Sequence, residues 1–228
     1  MKNVFYWSIV AALAGLLFGF DTVVISGADK KLQNLWESSD GFHGTVVMGM
    51  ALWGTVVGAL FGSFPTQRLG RKTTLFWIGV LYTISAVGSA LSNDPIVFAV
   101  FRFIGGLGVG ISTIAAPAYI SEIAPPKDRG RLVGLYQFNL VFGILLAFLS
   151  NYLLSDIGDN AWRWMMGVEA FPAILFTLLC LTIPKSPRWL ITRGLVDEAK
   201  AIYAKVDPNG SFDQLLQEIN QSVTSENK

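Results

Sequence analysis

The stretch "GLLFGFDTVVISGA", Gly15 to Ala28, decides how the chain is read. It is apolar on both sides of Asp21, and no Lys or Arg stands close by in sequence to neutralise the carboxylate. An ionised carboxylate in hydrocarbon costs on the order of several kcal/mol, so a span containing it must turn it towards protein, a partner or a watery cavity.

The surrounding composition supports a span. The 228 residues are 52% hydrophobic and only 14% charged, with a net charge of +1 and a mean hydropathy of +0.50; a water-soluble domain needs a more solvated surface. The small net charge gives no electrostatic case for nucleic acid. Cys180 is the single cysteine. It excludes an intrachain disulfide, leaves no cluster for a structural metal, and reads as a buried thiol in an apolar run. No cofactor is expected.

A membrane-crossing helix needs about 20 apolar residues, and the chain offers six such runs. They are Val4–Ile25, Gly44–Phe64, Thr74–Leu91, Ile96–Tyr119, Leu132–Leu154 and Trp164–Ile183. "ALA" at Ala12–Ala14, after Lys2, imitates a signal-peptide cleavage site, but the apolar run continues to Ile25 and reads as a retained span. Arg68, Arg71 and Lys72, then Lys127, Arg129 and Arg131, then Lys185, Arg188 and Arg193 lie in alternate connections, whereas the others hold Lys30 and Lys31, none, and Arg163. This bias puts both termini in the cytoplasm.

After Ile183 the composition becomes soluble, which divides the chain into a bundle over 1–184 and cytoplasmic helices over 185–228. Ser186 before Pro187 has the form of an N-cap followed by a first-turn proline, and Gly194 is placed to end that helix. "VDEAKAIYAKV" predicts a second helix, stopped by Pro208, and "SFDQ" at Ser211–Gln214 has the capping-box form for a third.

"GGLGVG", Gly105–Gly110, imitates a dinucleotide loop but lacks the G-x-G-x-x-G spacing and a preceding strand. Gly106 with Gly110, Gly54 with Gly58, and Gly58 with Gly62 instead form small-x-x-x-small faces for close helix packing. His43, the only histidine, falls in the connection after the first run and reads as a solvated loop residue with no nucleophile to serve. An enzyme is not expected.

Six stretches together resemble a sugar porter of the major facilitator superfamily. They are "GFDTVVISGA", "RLGRK" at Arg68–Lys72, "RFIGGLGVG" at Arg102–Gly110, "PAYISEIAPPKDRGRLVGLYQ" at Pro117–Gln137, "WRWMMGVEAFPAILF" at Trp162–Phe176 and "PKSPRWL" at Pro184–Leu190. The resemblance implies an all-α membrane protein with six transmembrane helices, one major-facilitator half built as a 3+3 inverted repeat, followed by cytoplasmic linker helices. It also implies a multi-pass protein of the cell (inner) membrane. Family members have twelve helices in two halves, so a second six-helix half is an expected partner, either another copy of this chain in a parallel dimer or a separate chain. Two positions depart from the family pattern: Gln67 where an acid is common, and Lys185 where the sixth span usually exits through P-E-S-P-R.

Arg102 is the expected partner of Asp21. With the N-terminus inside, Asp21 lies about seven residues before the outer end of its span and Arg102 about six after the start of the fourth, so both sit roughly 10 Å below the outer boundary. A guanidinium that approaches or withdraws during a transport cycle switches a carboxylate between releasing and binding a proton. The resemblance agrees, since proton-coupled sugar porters carry Asp at this position and facilitative carriers a neutral residue. The alternative is two interfacial charges that snorkel outwards, which is awkward for the short aspartate.

The resemblance further implies that Gln137 contacts sugar and that Phe18 lines the cavity; the alternatives are an interhelical hydrogen bond and plain packing. Glu169 is another intramembrane acid, without an assignable partner, and a candidate for the proton path. Arg68, Arg71, Glu122, Arg129, Arg131 and Arg188 match a cytoplasmic gate of ion pairs. Orientation alone would require the cations, but not Glu122. The reading that follows is a half-transporter coupling a proton to a monosaccharide; the alternatives are a transporter-derived interaction or sensor protein, or an inactive truncated transporter.

Overall fold

The computed structural model describes residues 2–208 and 210–226. Six helices are long and apolar enough to cross a membrane: Asn3–Gly27, Asp40–Phe61, Arg71–Leu91, Pro95–Ile123, Arg129–Leu154 and Ala161–Thr182, here spans one to six. Each overlaps an expected run, and most extend past it by a few polar residues at a cap. Asp94 illustrates the reason: its carboxylate accepts from the Ile96 and Val97 amides, and Pro95 occupies the first turn, so span four begins at the cap and not at the first apolar residue.

Span two departs most. It starts at Asp40 behind the Ser39 cap, passes through a π-helical stretch over His43–Met48 and continues as Met50–Phe61. His43 is therefore in a helix and not in a loop. It is 4% exposed, with Nε2 2.8 Å from Asp29 Oδ1 and Nδ1 3.2 Å from Ser38 Oγ. The solvated-loop expectation is wrong, because the early helix start turns the ring inwards against the Asp29–Leu35 helix.

Glycine sets which spans touch. A Cβ on Gly15 or Gly19 of span one would strike the carbonyls of Tyr136 and Leu140 on span five, and one on Gly143 would strike that of Leu16. Spans two and four meet in the same way: a Cβ on Gly54 would lie 3.1 Å from the Gly106 Cα, and one on Gly58 3.1 Å from the Gly110 Cα. The expected small-residue faces are thus a backbone-to-backbone seam. Spans one and four also meet each other, as do three and six. Exchanging one with four, two with five and three with six maps this pairing onto itself, as a 3+3 inverted repeat requires.

The core runs between spans one, three, four and six, through Leu17, Leu75, Ile78, Tyr82, Tyr119 and Phe176. Spans two and five keep apolar side chains exposed, among them Leu52, Trp53, Leu60, Val141, Leu145 and Phe148. These faces suit lipid or another apolar surface. Arg163 ties spans six and three together by donating to the Ala90 and Ser92 carbonyls, 2.8 Å each, above the Trp162 ring.

Three helices follow the bundle, Pro187–Thr192, Val196–Val206 and Phe212–Glu226, packed through Leu190, Ile191, Ala199 and Ile219. Ser186 caps the first by accepting from the Trp189 amide, Gly194 ends it at φ +76°, and Ser211 Oγ accepts from the Gln214 amide at the start of the third.

Gly58→Leu should be costly, because its side chain would meet the Leu107 carbonyl and Gly110 backbone, neither of which can rotate away. The expected loss is about 1–3 kcal/mol, read as a lower thermal unfolding midpoint in detergent. Gly134→Ala, on span five with nothing within 4 Å of the new methyl, should be neutral or stabilising. Equal midpoints for the two variants would contradict the packing account.

Candidate functional site

Asp21 and Arg102 meet. The carboxylate is 1% and the guanidinium 2% exposed; Arg102 Nη1 donates to Asp21 Oδ1 at 2.5 Å and Nη2 to the Asp21 main-chain carbonyl at 2.9 Å. Asp21 is six residues before the end of span one and Arg102 seven after the start of span four, about 9 and 10 Å deep at 1.5 Å per residue. The snorkelling alternative does not describe this arrangement, since both heads are inside the protein.

The partner that the sequence left unassigned for Glu169 is this pair. Glu169, 1% exposed, places its carboxyl beside Asp21 and within the field of Arg102. It sits where span six is interrupted between its Ala161–Gly167 and Ala170–Thr182 segments. Pro172, lacking an amide hydrogen, cannot bond the Val168 carbonyl, and the helix breaks around Glu169. The depth count that pairs Asp21 with Arg102 would have found it: Glu169 is eight residues into span six, about 12 Å from the same end. Glu169 Oε1 and Arg102 Nε have no hydrogen-bond partner among the described residues. Two carboxyls thus share one guanidinium, and with both acids ionised the buried cluster carries a net negative charge.

Phe18 and Gln137 are close in the fold. The contacts of Gly15 with Tyr136 and of Gly19 with Leu140 bracket them on the one–five seam. Phe18 is half-buried and packs against the core. Gln137 is exposed, and its side chain makes no hydrogen bond among the described residues. The interhelical-bond alternative is therefore not realised, and its amide is free for a ligand.

At the basic end, Glu122 is the organising residue. Its Oε1 accepts from Arg71 Nη2 at 2.8 Å and Nε at 3.0 Å, and its Oε2 from Ser186 Oγ at 2.5 Å. Ser186, which caps the first tail helix, was not foreseen in this role; its cap position was the available signal. The other expected gate cations do not pair with Glu122. Arg68 lies over the Phe64 ring, while Arg129, Arg131 and Arg188 form no ion pair among the described residues. Arg68, Arg71, Arg188 and Arg193 line a cavity of about 600 Å³ that reaches Glu122. Arg193 donates to the Gln67 and Arg68 carbonyls, and Trp189 Nε1 to that of Gln67 at 2.8 Å. At Gln67, the backbone and not the side chain holds the tail helix. Lys185 pairs with exposed Glu198 at 3.5 Å. No group of three metal-ligating side chains occurs among the described residues.

A family model described as "Sugar (and other) transporter" matches residues 7–228. The D-xylose-proton symporter of Escherichia coli (strain K12) is 38% identical over 251 residues, covering 96% of this chain and 51% of the symporter. The glucose transport protein of Synechocystis sp. is 40% identical over 240 residues, covering 100% of this chain and 51% of its own. The chain thus spans about half the length of the curated relatives it matches. The solved proton:xylose symporter XylE bound to 6-bromo-6-deoxy-D-glucose superposes with a TM-score of 0.91 at 35% identity, over 98% of this chain and 54% of that one.

Arg102→Leu should leave two buried carboxyls without a cation and cost about 3–5 kcal/mol, seen as a large fall in the unfolding midpoint. Adding Asp21→Asn to that variant should recover part of the loss. Additive effects of the two substitutions would mean that the pair is not coupled.

Proposed function

The chain belongs to the sugar transporter family, and from that premise we propose that it forms one half of a monosaccharide–proton symporter. It works as a transporter and not as an enzyme. The observation that carries the reading is the buried Asp21–Arg102 pair with Glu169 beside it. A protein that only binds sugar has no need of a second acid inside its membrane bundle, and intramembrane ionisable clusters are characteristic of proton paths.

Charge balance gives the mechanism. With one proton shared between Asp21 and Glu169, the cluster is neutral against Arg102 and can be buried; without it, the surplus negative charge favours a state in which water or a cation reaches the site. Proton loading therefore favours the closed arrangement and release the opened one. Arginine remains charged throughout and acts as the fixed counter-charge.

Phe18 and Gln137 supply this half's share of the sugar site, one as an apolar wall and one as a hydrogen-bonding amide, which is the usual division of labour in a carbohydrate pocket. A second six-helix half covers the face that carries them. Glu122, held by Arg71 and Ser186, couples the end of span four to the tail helix and closes the inner side, with Arg68, Arg129, Arg131 and Arg188 available to re-pair as the spans shift. The excess of basic residues at this end supports a cytoplasmic location for both termini and for the helices over 185–228, in the cell (inner) membrane.

In proteoliposomes with an inward proton gradient, the chain in its active assembly should accumulate a pentose or hexose. Asp21→Asn should abolish accumulation while leaving sugar exchange at equal concentrations largely intact. Accumulation that survives in Asp21→Asn would remove Asp21 as the coupling residue and pass the role to Glu169; no gradient-dependent accumulation by the unaltered chain in any assembly would reject symport.

A further inference from the structure

Several buried hydroxyls in the bundle have no close hydrogen-bond partner among the described residues, including Tyr82, Ser85 and Ser89 of span three. A hydroxyl buried in this way costs about 1–3 kcal/mol relative to one that is bonded, whereas Phe or Ala would occupy the same space without that cost. These groups are not scattered. Gly105 of span four, with no side chain, lets the Ser85 hydroxyl and the Asp21 carboxylate approach one spot: a Cβ there would meet both. One turn along span three, Tyr82 is fully buried, within the fields of Asp21 and Glu169, and faces Ser112 of span four. Ser112 Oγ is 3.3 Å from Tyr136 Oη of span five and 2.7 Å from its own helix's Val109 carbonyl.

The depths of these groups form a series. Asp21 lies six residues from the far end of its span, Tyr82 nine from the far end of span three, Ser112 eleven from the basic end of span four and Tyr136 seven from the basic end of span five. At 1.5 Å per residue these are about 9 and 14 Å from the far end, then about 16 and 10 Å from the basic end. The hydroxyls thus lead from the acid cluster across the middle of the bundle, through a core otherwise built of Leu17, Ile78, Val109 and Ala115. The last of them, Tyr136, precedes the exposed Gln137.

We propose that Ser85, Tyr82, Ser112 and Tyr136 form a hydroxyl relay that carries the proton released by Asp21 and Glu169 towards the basic end of the bundle. The relay rests on the coupling role proposed above for those acids. In each passage a carboxyl O–H bond breaks and its proton joins the neighbouring hydroxyl oxygen, directly or through a bridging water. That oxygen passes its own hydrogen to the next, so each gains one hydrogen and gives one up. No tyrosinate or alkoxide remains, the carboxylate is left beside Arg102, and the proton leaves from Tyr136 to water at the open face near Gln137. Rotation of the hydroxyls then resets the chain. The four are positioning residues for proton transfer, not sugar ligands.

Tyr82→Phe separates this role from a structural one. It keeps the ring and removes one oxygen that has no close hydrogen-bond partner among the described residues although it faces Ser112, so packing alone predicts little change in thermal stability and unchanged transport. The relay predicts that same stability together with gradient-driven sugar uptake slowed about a hundredfold, a larger solvent deuterium isotope effect on that uptake, and unchanged sugar exchange, which needs no proton release. Ser112→Ala should slow gradient-driven uptake in the same way but more mildly, since a bridging water can replace so small a group, and should cost some stability because Ser112 Oγ bonds the Val109 carbonyl and Tyr136 Oη. The measurements use proteoliposomes in which the unaltered chain shows gradient-driven uptake and Asp21→Asn does not. There, normal uptake rates in both Tyr82→Phe and Ser112→Ala would overturn the relay and leave the coupling role intact. If Asp21→Asn retained accumulation, the coupling role itself would fall, and the relay with it.

Discussion

Everything in this bundle is arranged around the cost of keeping a carboxylate away from water. Asp21 can be buried because Arg102 reaches it with two donors, and Arg102 can be buried because Asp21 offers both a carboxylate and a main-chain carbonyl. Each charge alone would cost several kcal/mol, roughly what a whole domain has in reserve. The pair therefore fixes span one against span four at a set depth. The glycines elsewhere on those spans let their neighbours approach to backbone contact.

The same cost explains why the cluster suits coupling. Glu169 adds an acid without adding a cation, so the site has two charge states of different burial cost. In the proposed symport, this difference in burial cost biases which end of the bundle is open. At the basic end Glu122 is the counterpart: a single carboxylate bridges Arg71 of span three and Ser186 of the tail cap. Arg68, Arg129 and Arg188 line the cavities beside it and form no ion pair among the described residues. In the proposed cycle, that surplus would let Glu122 exchange partners, which a fully paired network would resist.

The Asp21–Arg102 pair was legible because depth along a span is a count of residues at a fixed rise, and two buried opposite charges at one depth have little alternative. The glycine faces and the Ser186, Gly194 and Ser211 caps were legible because they follow local rules of backbone geometry. His43 was misread because its burial depends on where span two begins, and a Ser39 cap followed by a π-helical stretch moves that start ahead of the apolar run. Glu169 stood at the right depth, but its direction depends on the break at Pro172.

The sequence by itself determined the number of spans, their orientation bias, the depth of each intramembrane charge and the residues able to form close seams. These are properties of one helix at a time, set by hydrophobic length, rise and capping. Only the tertiary structure decided which spans are neighbours and which side chains turn inwards. It brought Glu169 to the Asp21–Arg102 pair, gave Glu122 to Arg71 and Ser186 while leaving Arg188 unpaired among the described residues, and left Gln137 exposed on the one–five seam. Neighbour choice and rotation about the helix axis depend on how all six surfaces fit together, because a turn of about 100° per residue moves a side chain from core to lipid without changing the apolar length that a sequence displays.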